Sequence, residues 1–282
     1  MKTIKFNLSL VIIAGMISII SSCDIVNPPY EQTGSTVDTT TYKRKILVED
    51  YTGHYCPNCP NAAVALKQLE QDYPDRIVGV ASHVSNFAYP GPGIFNFDFR
   101  TTCGNDWDAQ FGVSLQGLPK GMVNRVGYPT SNHVMEYTIW DDTVASLINL
   151  PADASLEISN VYNSSSNTVE TTISSKFVNA LSGNYFLSVV YTEDSIIQPQ
   201  SLPSGSPQPV DTFYVHMHAL RGDINGSWGE KIATDPAENF TVSKTYTKQL
   251  VSGAVPEHCK VVAFIYKEGT YEVIQAEEKH VK

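Results

Sequence analysis

Cys56 and Cys59 stand three residues apart in a Cys-Pro-Asn-Cys run. Two thiols at that spacing can close a local disulfide and exchange it with other thiols, and the same spacing supplies half of many zinc sites. Zinc normally takes a second ligand pair. The sequence has no second CxxC and no CxxH, and the other candidate ligands, His54, His83 and Cys103, are scattered. The pair therefore reads as a dithiol, either redox-active or a structural staple, that needs no metal and no organic cofactor. Cys103 and Cys259 are either a structural pair or two isolated thiols.

A reactive dithiol has to be held by something. Lys45–Asp50 carries a short apolar run that suits a buried strand. After the cysteines, Ala62, Leu66, Leu69 and Tyr73 recur at spacings of three and four, which predicts a helix over Asn61–Tyr73. Such a helix places the first sulfur at its N-terminus, where unpaired N–H groups favour the thiolate. Ile77–Ser82 is the next strand, so strand, dithiol turn, helix and strand make a parallel βαβ unit. Phe87–Asp106 reads as loop, Asp106–Phe111 as a short helix, Met122–Val126 as a strand, and Val134–Leu150 as a helix that Pro151 stops. These elements make an α/β domain over residues 43–151.

The pattern changes after Pro151. Leu156–Tyr162, Val169–Phe177, Tyr185–Thr192, Phe213–Leu220, Val242–Leu250, Lys260–Lys267 and Tyr271–Glu277 read as strands, with Pro199–Pro209 a long loop between two of them. Roughly seven strands without a helix predict an all-β sandwich over 152–282, immunoglobulin-like in class but without that family's Cys and Trp spacing.

The N-terminus addresses the chain. Lys2 and Lys5 precede an apolar run from Phe6 to Ile20, short of a bilayer-spanning helix, and Ile20-Ser-Ser-Cys23 follows. This resembles the lipobox of bacterial lipoproteins: residues 1–22 as signal peptide, Cys23 as the lipidated residue that holds the chain to the membrane, and 23–42 as a Pro/Thr/Ser-rich tether. Outside the cytoplasm a disulfide persists. The net charge of −10, with no Lys/Arg run, argues against nucleic acid as a partner.

The stretch Ile46-Leu-Val-Glu-Asp-Tyr-Thr-Gly-His-Tyr-Cys-Pro-Asn-Cys59 resembles the active-site strand and loop of the thioredoxin superfamily, and Asp108-Ala-Gln-Phe-Gly-Val-Ser-Leu-Gln-Gly-Leu-Pro119 resembles its approach to a cis-proline. The resemblance covers residues 43–150. It implies catalytic roles for Cys56 as attacking thiol, Cys59 as resolving thiol, Asp50 as a buried acid that helps deprotonate the resolving thiol, and Pro119 as the residue that docks the client strand. Tyr55 replaces the usual Trp, Pro-Asn replaces Gly-Pro, and Pro60 follows the second cysteine directly, so the family's redox potential does not carry over. The whole layout, with Tyr214-Val-His-Met-His-Ala-Leu-Arg221 and Asn225-Gly-Ser-Trp-Gly229 in the β half, is similar to the twenty-eight-kilodalton outer-membrane-protein family of anaerobes. That implies a lipoprotein of the cell envelope, at the outer membrane, facing the periplasm or the surface. Two functions are compatible with these residues. One is thiol–disulfide exchange with a protein client. The other is non-enzymatic binding of a surface protein or glycan, with the dithiol as a staple hidden by the β half or by the Phe87–Asp106 loop.

Weaker signals remain. His216 and His218 share a strand face with Tyr214, which predicts polar residues on a partly exposed face more readily than metal ligands. Arg221-Gly-Asp223 matches an adhesive tripeptide by chance far more often than by function. Trp228 is a core residue or a domain-interface anchor. No Gly-rich phosphate loop, carboxylate pair or serine elbow stands out.

Overall fold

The computed structural model describes residues 42–282. The signal peptide 1–22 and Cys23 expected from the sequence lie outside the described residues, as does the tether up to residue 41. Strand β1 (Ile46–Thr52) is buried along its whole length, as its continuous apolar start requires of a strand covered on both faces. It leads through the dithiol turn into α1 (Cys59–Asp72), which buries Ala62, Leu66 and Leu69 on the stripe read from the sequence. Pro60 sits in the first turn of α1, where a missing N–H costs nothing. Strand β2 (Ile77–His83) then pairs in parallel with β1, from Ile46↔Ile77 to Thr52↔His83.

Helix α2 (Thr102–Phe111) starts on Thr101, whose hydroxyl accepts the Gly104 N–H at 3.0 Å, and stops on Gly112 at φ 66°. Strand β3 (Lys120–Val123) runs antiparallel along the other edge of β1, and Met135 bridges to Gly121 beyond it. The helix expected over Val134–Leu150 is shorter: Val134 is extended, and only α3 (Trp140–Leu147) is α-helical.

The second half contributes the long strands β4 (Ala154–Asn163), β5 (Thr168–Phe177) and β6 (Asn184–Glu193). Four two-residue strands follow: β7 (Ile196–Ile197), β8 (Gln200–Ser201), β9 (Val210–Asp211) and β10 (Val215–His216). The chain ends with β11 (Ala219–Asp223), β12 (Glu230–Thr234), β13 (Thr241–Gln249), β14 (Cys259–Lys267) and β15 (Val273–His280). A three-stranded sheet, β13-β5-β4, lays Val169, Ile173 and Phe177 against Tyr185, Leu187 and Val189 of β6. Strand β13 is its open edge, and its Lys, Thr and Ser residues suit a solvated strand.

Residues 43–151 and 152–282, expected as two domains, share one sheet of order β15-β14-β6-β11-β2-β1-β3, with β12 also on β6. Strand β11 lies between β2, parallel to it at Ala219↔Ala81, and β6, antiparallel to it. An edge left on β2 would strand backbone groups in a buried position. Instead the Ala81 N–H donates to the His218 carbonyl at 2.8 Å. The architecture is mixed α/β and mostly sheet.

Local details follow as well. The strand read over Phe213–Leu220 is broken at His218, whose φ is 53°. Arg221-Gly-Asp223 lies in β11, and the Arg221 guanidinium is held by Glu193 at 3.1 Å. Among the described residues Cys103 and Cys259 are both free, and both are buried, which pushes their thiols up to about 11 and about 12.

A buried ion pair of the first half sits against β14 of the second. Arg125, at φ 54°, makes two hydrogen bonds of 2.8 Å to the Glu49 carboxylate of β1, with both side chains 1% exposed. Trp107 and Phe111 of α2 and Phe264 and Tyr266 of β14 surround the guanidinium, with ring centroids at 4.8–5.9 Å. Glu49→Ala would leave that cation buried without a partner and is expected to cost about 3–5 kcal/mol in urea unfolding. Replacing both partners, Glu49→Leu with Arg125→Met, should cost much less.

Candidate redox site

Cys56 and Cys59 form a disulfide with Cα atoms 5.4 Å apart. Helix α1 begins at Cys59, so Cys56 lies in the turn that leads into its N-terminus. That turn is closed by the Cys56 N–H donating to the Gly53 carbonyl at 2.9 Å. Both cysteines are covered, at 1% and 2% exposure.

Two segments make the cover. Residues 84–101 approach from the first half: the Tyr55 N–H donates to the Phe87 carbonyl at 3.0 Å, and Phe95 packs on the Tyr55 ring at 4.5 Å. A Cβ on Gly53 would stand 2.5 Å from that Phe87 carbonyl, so only glycine permits the approach. The second segment comes from the β half. Strands β8 and β9 pair at Gln200↔Asp211 and Ser201↔Val210, turning part of the expected Pro199–Pro209 loop into a hairpin. The Ser201 N–H donates to the His54 carbonyl at 2.8 Å, and the Gln200 side-chain amide donates to the Cys56 carbonyl at 2.8 Å.

Beside Cys59 lies a cavity of about 340 Å³. Asp50, Cys59, His83, Tyr214, His216 and His218 are in its wall, while Cys56 is not. The alternation of Tyr214, His216 and His218 was legible, but its sense is reversed. His216 and His218 are buried at 4% and 7%, while Phe213, Val215 and Met217 face outward. The histidines turn inward because residues 214–218, leading into β11, pack against α1 and β2: His218 lies 3.2 Å from Glu70, and a Cβ on Gly79 of β2 would stand 3.2 Å from the His218 ring.

The electrostatics of this wall are uneven. Burial pushes the Asp50 carboxyl up to about 7, partly offset by the charge of His218, and its Oδ1 has no hydrogen-bond partner among the described residues. Burial alone would lower His218, but the carboxylates of Glu70 at 3.2 Å and Asp194 at 3.5 Å outweigh it and hold the imidazolium. Burial depresses His83 far below the ordinary imidazole value, with His216 and His54 nearby adding to the effect. Burial also brings His216 to about 4, although its Nε2 bonds to the Gln198 carbonyl at 3.2 Å. No group of three or more His, Cys, Asp or Glu residues is arranged to hold a metal ion among the described residues.

Of the four catalytic candidates read from the sequence, the structure brings Asp50 and Cys59 to one cavity and Cys56 into the adjoining disulfide. Pro119 is buried, follows a cis bond from Leu118, and precedes Lys120, which pairs with Tyr51 near the end of β1. Gln200 and the inward aim of His218 were not read from the sequence. The His-x-His alternation was the only signal for the second, and Gln200 had none.

Asp50 ionises near pH 7 in the folded chain and near 4 in the unfolded one, so the folded state holds the extra proton between those values. Its contribution to stability therefore falls as pH rises from about 4 to about 7, by about 4 kcal/mol, and levels off above. Asp50→Asn is expected to flatten that part of the stability–pH curve, measured by urea unfolding from pH 4 to 8.

The sequence model of the family described as Outer membrane protein Omp28 matches residues 105–282. Among solved structures, a domain of the outer membrane lipoprotein Omp28 from Porphyromonas gingivalis is 19% identical over 46% of this chain and 89% of its own, with a TM-score of 0.32. An Agrobacterium tumefaciens protein is 16% identical over 86% of this chain and 96% of its own, with a TM-score of 0.47. The curated proteins contain no match. The family match spans more than half of the 282 residues, and the chain belongs to the Omp28 family of outer membrane proteins of the cell envelope.

Proposed function

We propose that this envelope protein carries out thiol–disulfide exchange through Cys56 and Cys59. The observation that carries the reading is Asp50: a fully buried carboxyl, without a partner on Oδ1 and raised to about 7, in the wall of the cavity that Cys59 also lines. A carboxyl poised there takes and returns the proton that a resolving thiol gives up. A thioredoxin-like arrangement of the first half supports it, with β2-β1-β3 side by side, the dithiol between β1 and α1, and cis Pro119 leading into β3. The two-layer packing of β13-β5-β4 on β6 supports an immunoglobulin-like reading of the β half. Cys23 is proposed as the lipid anchor.

A second reading rests on the cover. With both cysteines nearly inaccessible under Gln200 and residues 84–101, the dithiol serves equally as a staple in a protein that binds a surface protein or glycan.

A redox titration against glutathione separates the two. Exchange predicts a midpoint in the oxidoreductase range of roughly −120 to −270 mV, while a staple resists reduction below about −300 mV. Gln200→Ala should speed reduction under the first reading by releasing the hairpin from the Cys56 carbonyl. An unchanged rate, with a midpoint below that limit, would leave the staple.

A further inference from the structure

The cover and the cavity meet at Gln200 but engage different cysteines of the same disulfide. Cys56 is held beneath the hairpin by Gln200, and its turn is joined to Ser201 and Phe87 through backbone hydrogen bonds. Cys59 belongs to the wall of the 340 Å³ cavity. That volume lies at the small end of the roughly 300–1,000 Å³ that ligand sites occupy and suits a molecule the size of an amino acid or short peptide. Three further features mark the cavity as a ligand site. Asp50 Oδ1 and both ring nitrogens of His83 are buried there without hydrogen-bond partners among the described residues. Lys67 and Glu70, one turn apart on α1, place opposite charges on its wall. The exposed side chains of Val64 and Met217 supply apolar surface alongside them.

We infer that the cavity binds a low-molecular-weight thiol of amino-acid or short-peptide type, and that this thiol enters exchange at Cys59 and not at Cys56. The inference rests on the exchange reading and names its small-molecule substrate. The order of the two cysteines is then the reverse of the one that the sequence resemblance implies. Lys67 receives the carboxylate of the ligand and Glu70 its ammonium group, leaving the sulfur directed inward.

The chemistry balances as follows. The thiolate of the ligand attacks Cys59 Sγ; the Cys56–Cys59 bond breaks and its electron pair leaves on Cys56, which is then protonated. A second ligand thiolate attacks the ligand sulfur of the mixed disulfide. The ligand disulfide departs, and Cys59 takes the proton that Asp50 holds. Two thiols are oxidised, losing two electrons and two protons, and the protein disulfide gains both. Run backward, a small disulfide oxidises the dithiol.

The test uses glutathione and its disulfide as probes on the full chain. Oxidised glutathione is added to Cys56→Ser, which keeps Cys59, and to Cys59→Ser, which keeps Cys56, and adducts are counted by mass spectrometry. Cys59 is expected to take up glutathione faster than Cys56 by about tenfold or more, since access sets the rate. Removing the disulfide can unfold either variant, so a second variant retains it. Ala63→Trp fills the cavity and is expected to slow reduction of the native disulfide by glutathione about tenfold. Faster adduct formation at Cys56, with no effect of Ala63→Trp, would overturn the inference and leave the exchange reading standing. A native disulfide that glutathione never reduces would overturn both.

Discussion

The bidentate pair between Glu49 and Arg125 is the constraint on which the rest of the sheet depends. A carboxylate and a guanidinium removed from water are tolerable only when each satisfies the other, and this pair does so within a cage of four aromatic rings. Glu49 belongs to β1, Arg125 follows β3, two rings come from α2 and two from β14. The pair therefore fixes the first half of the chain against the second at one point. It also fixes the position of β1, and the residue after Glu49 is Asp50. The acid beside the dithiol is placed by its neighbour, whose side chain points to the opposite face of the same strand.

From that arrangement follows the asymmetry around the disulfide. Once β11 is seated beside β2, the chain leading into it must pass over α1, and it brings Tyr214, His216 and His218 with it. The preceding hairpin lies over the dithiol turn. One connection thus closes the front of the disulfide and lines the cavity behind it. The same segment lines the cavity wall that Asp50 and His83 share, where burial raises the one and lowers the other.

The sequence made the local part legible. The βαβ unit, the buried stripe of α1 and most long strands follow from periodicity, turn residues and one recognisable dithiol, while the cis bond before Pro119 was implied only by the family resemblance. What it hid was long-range. Nothing in Ala219–Asp223 says that this segment pairs with β2 as well as β6, so a continuous sheet read as two domains. Glu49 and Arg125 are each unremarkable in their own segments and acquire meaning only together. The alternation at residues 213–218 gave the correct grouping of side chains and the wrong sense. Hydrophobicity assigns Phe213, Val215 and Met217 to the interior, and the polar wall of the cavity takes the histidines instead.

The entry point of the chain into its fold has a mechanical meaning. The Gln275 side chain of β15 accepts the Lys45 N–H at 2.7 Å and donates to the carbonyls of Lys43 and Ala154 at 3.0 and 2.9 Å. Directly after this clamp the chain becomes β1, which is laddered on both sides by β2 and β3. A pull applied at residue 42 along that strand must first break the clamp and then shear two ladders at once, since β1 has no free side from which to peel. The protein meets a load from its N-terminal side with a strand held along both edges.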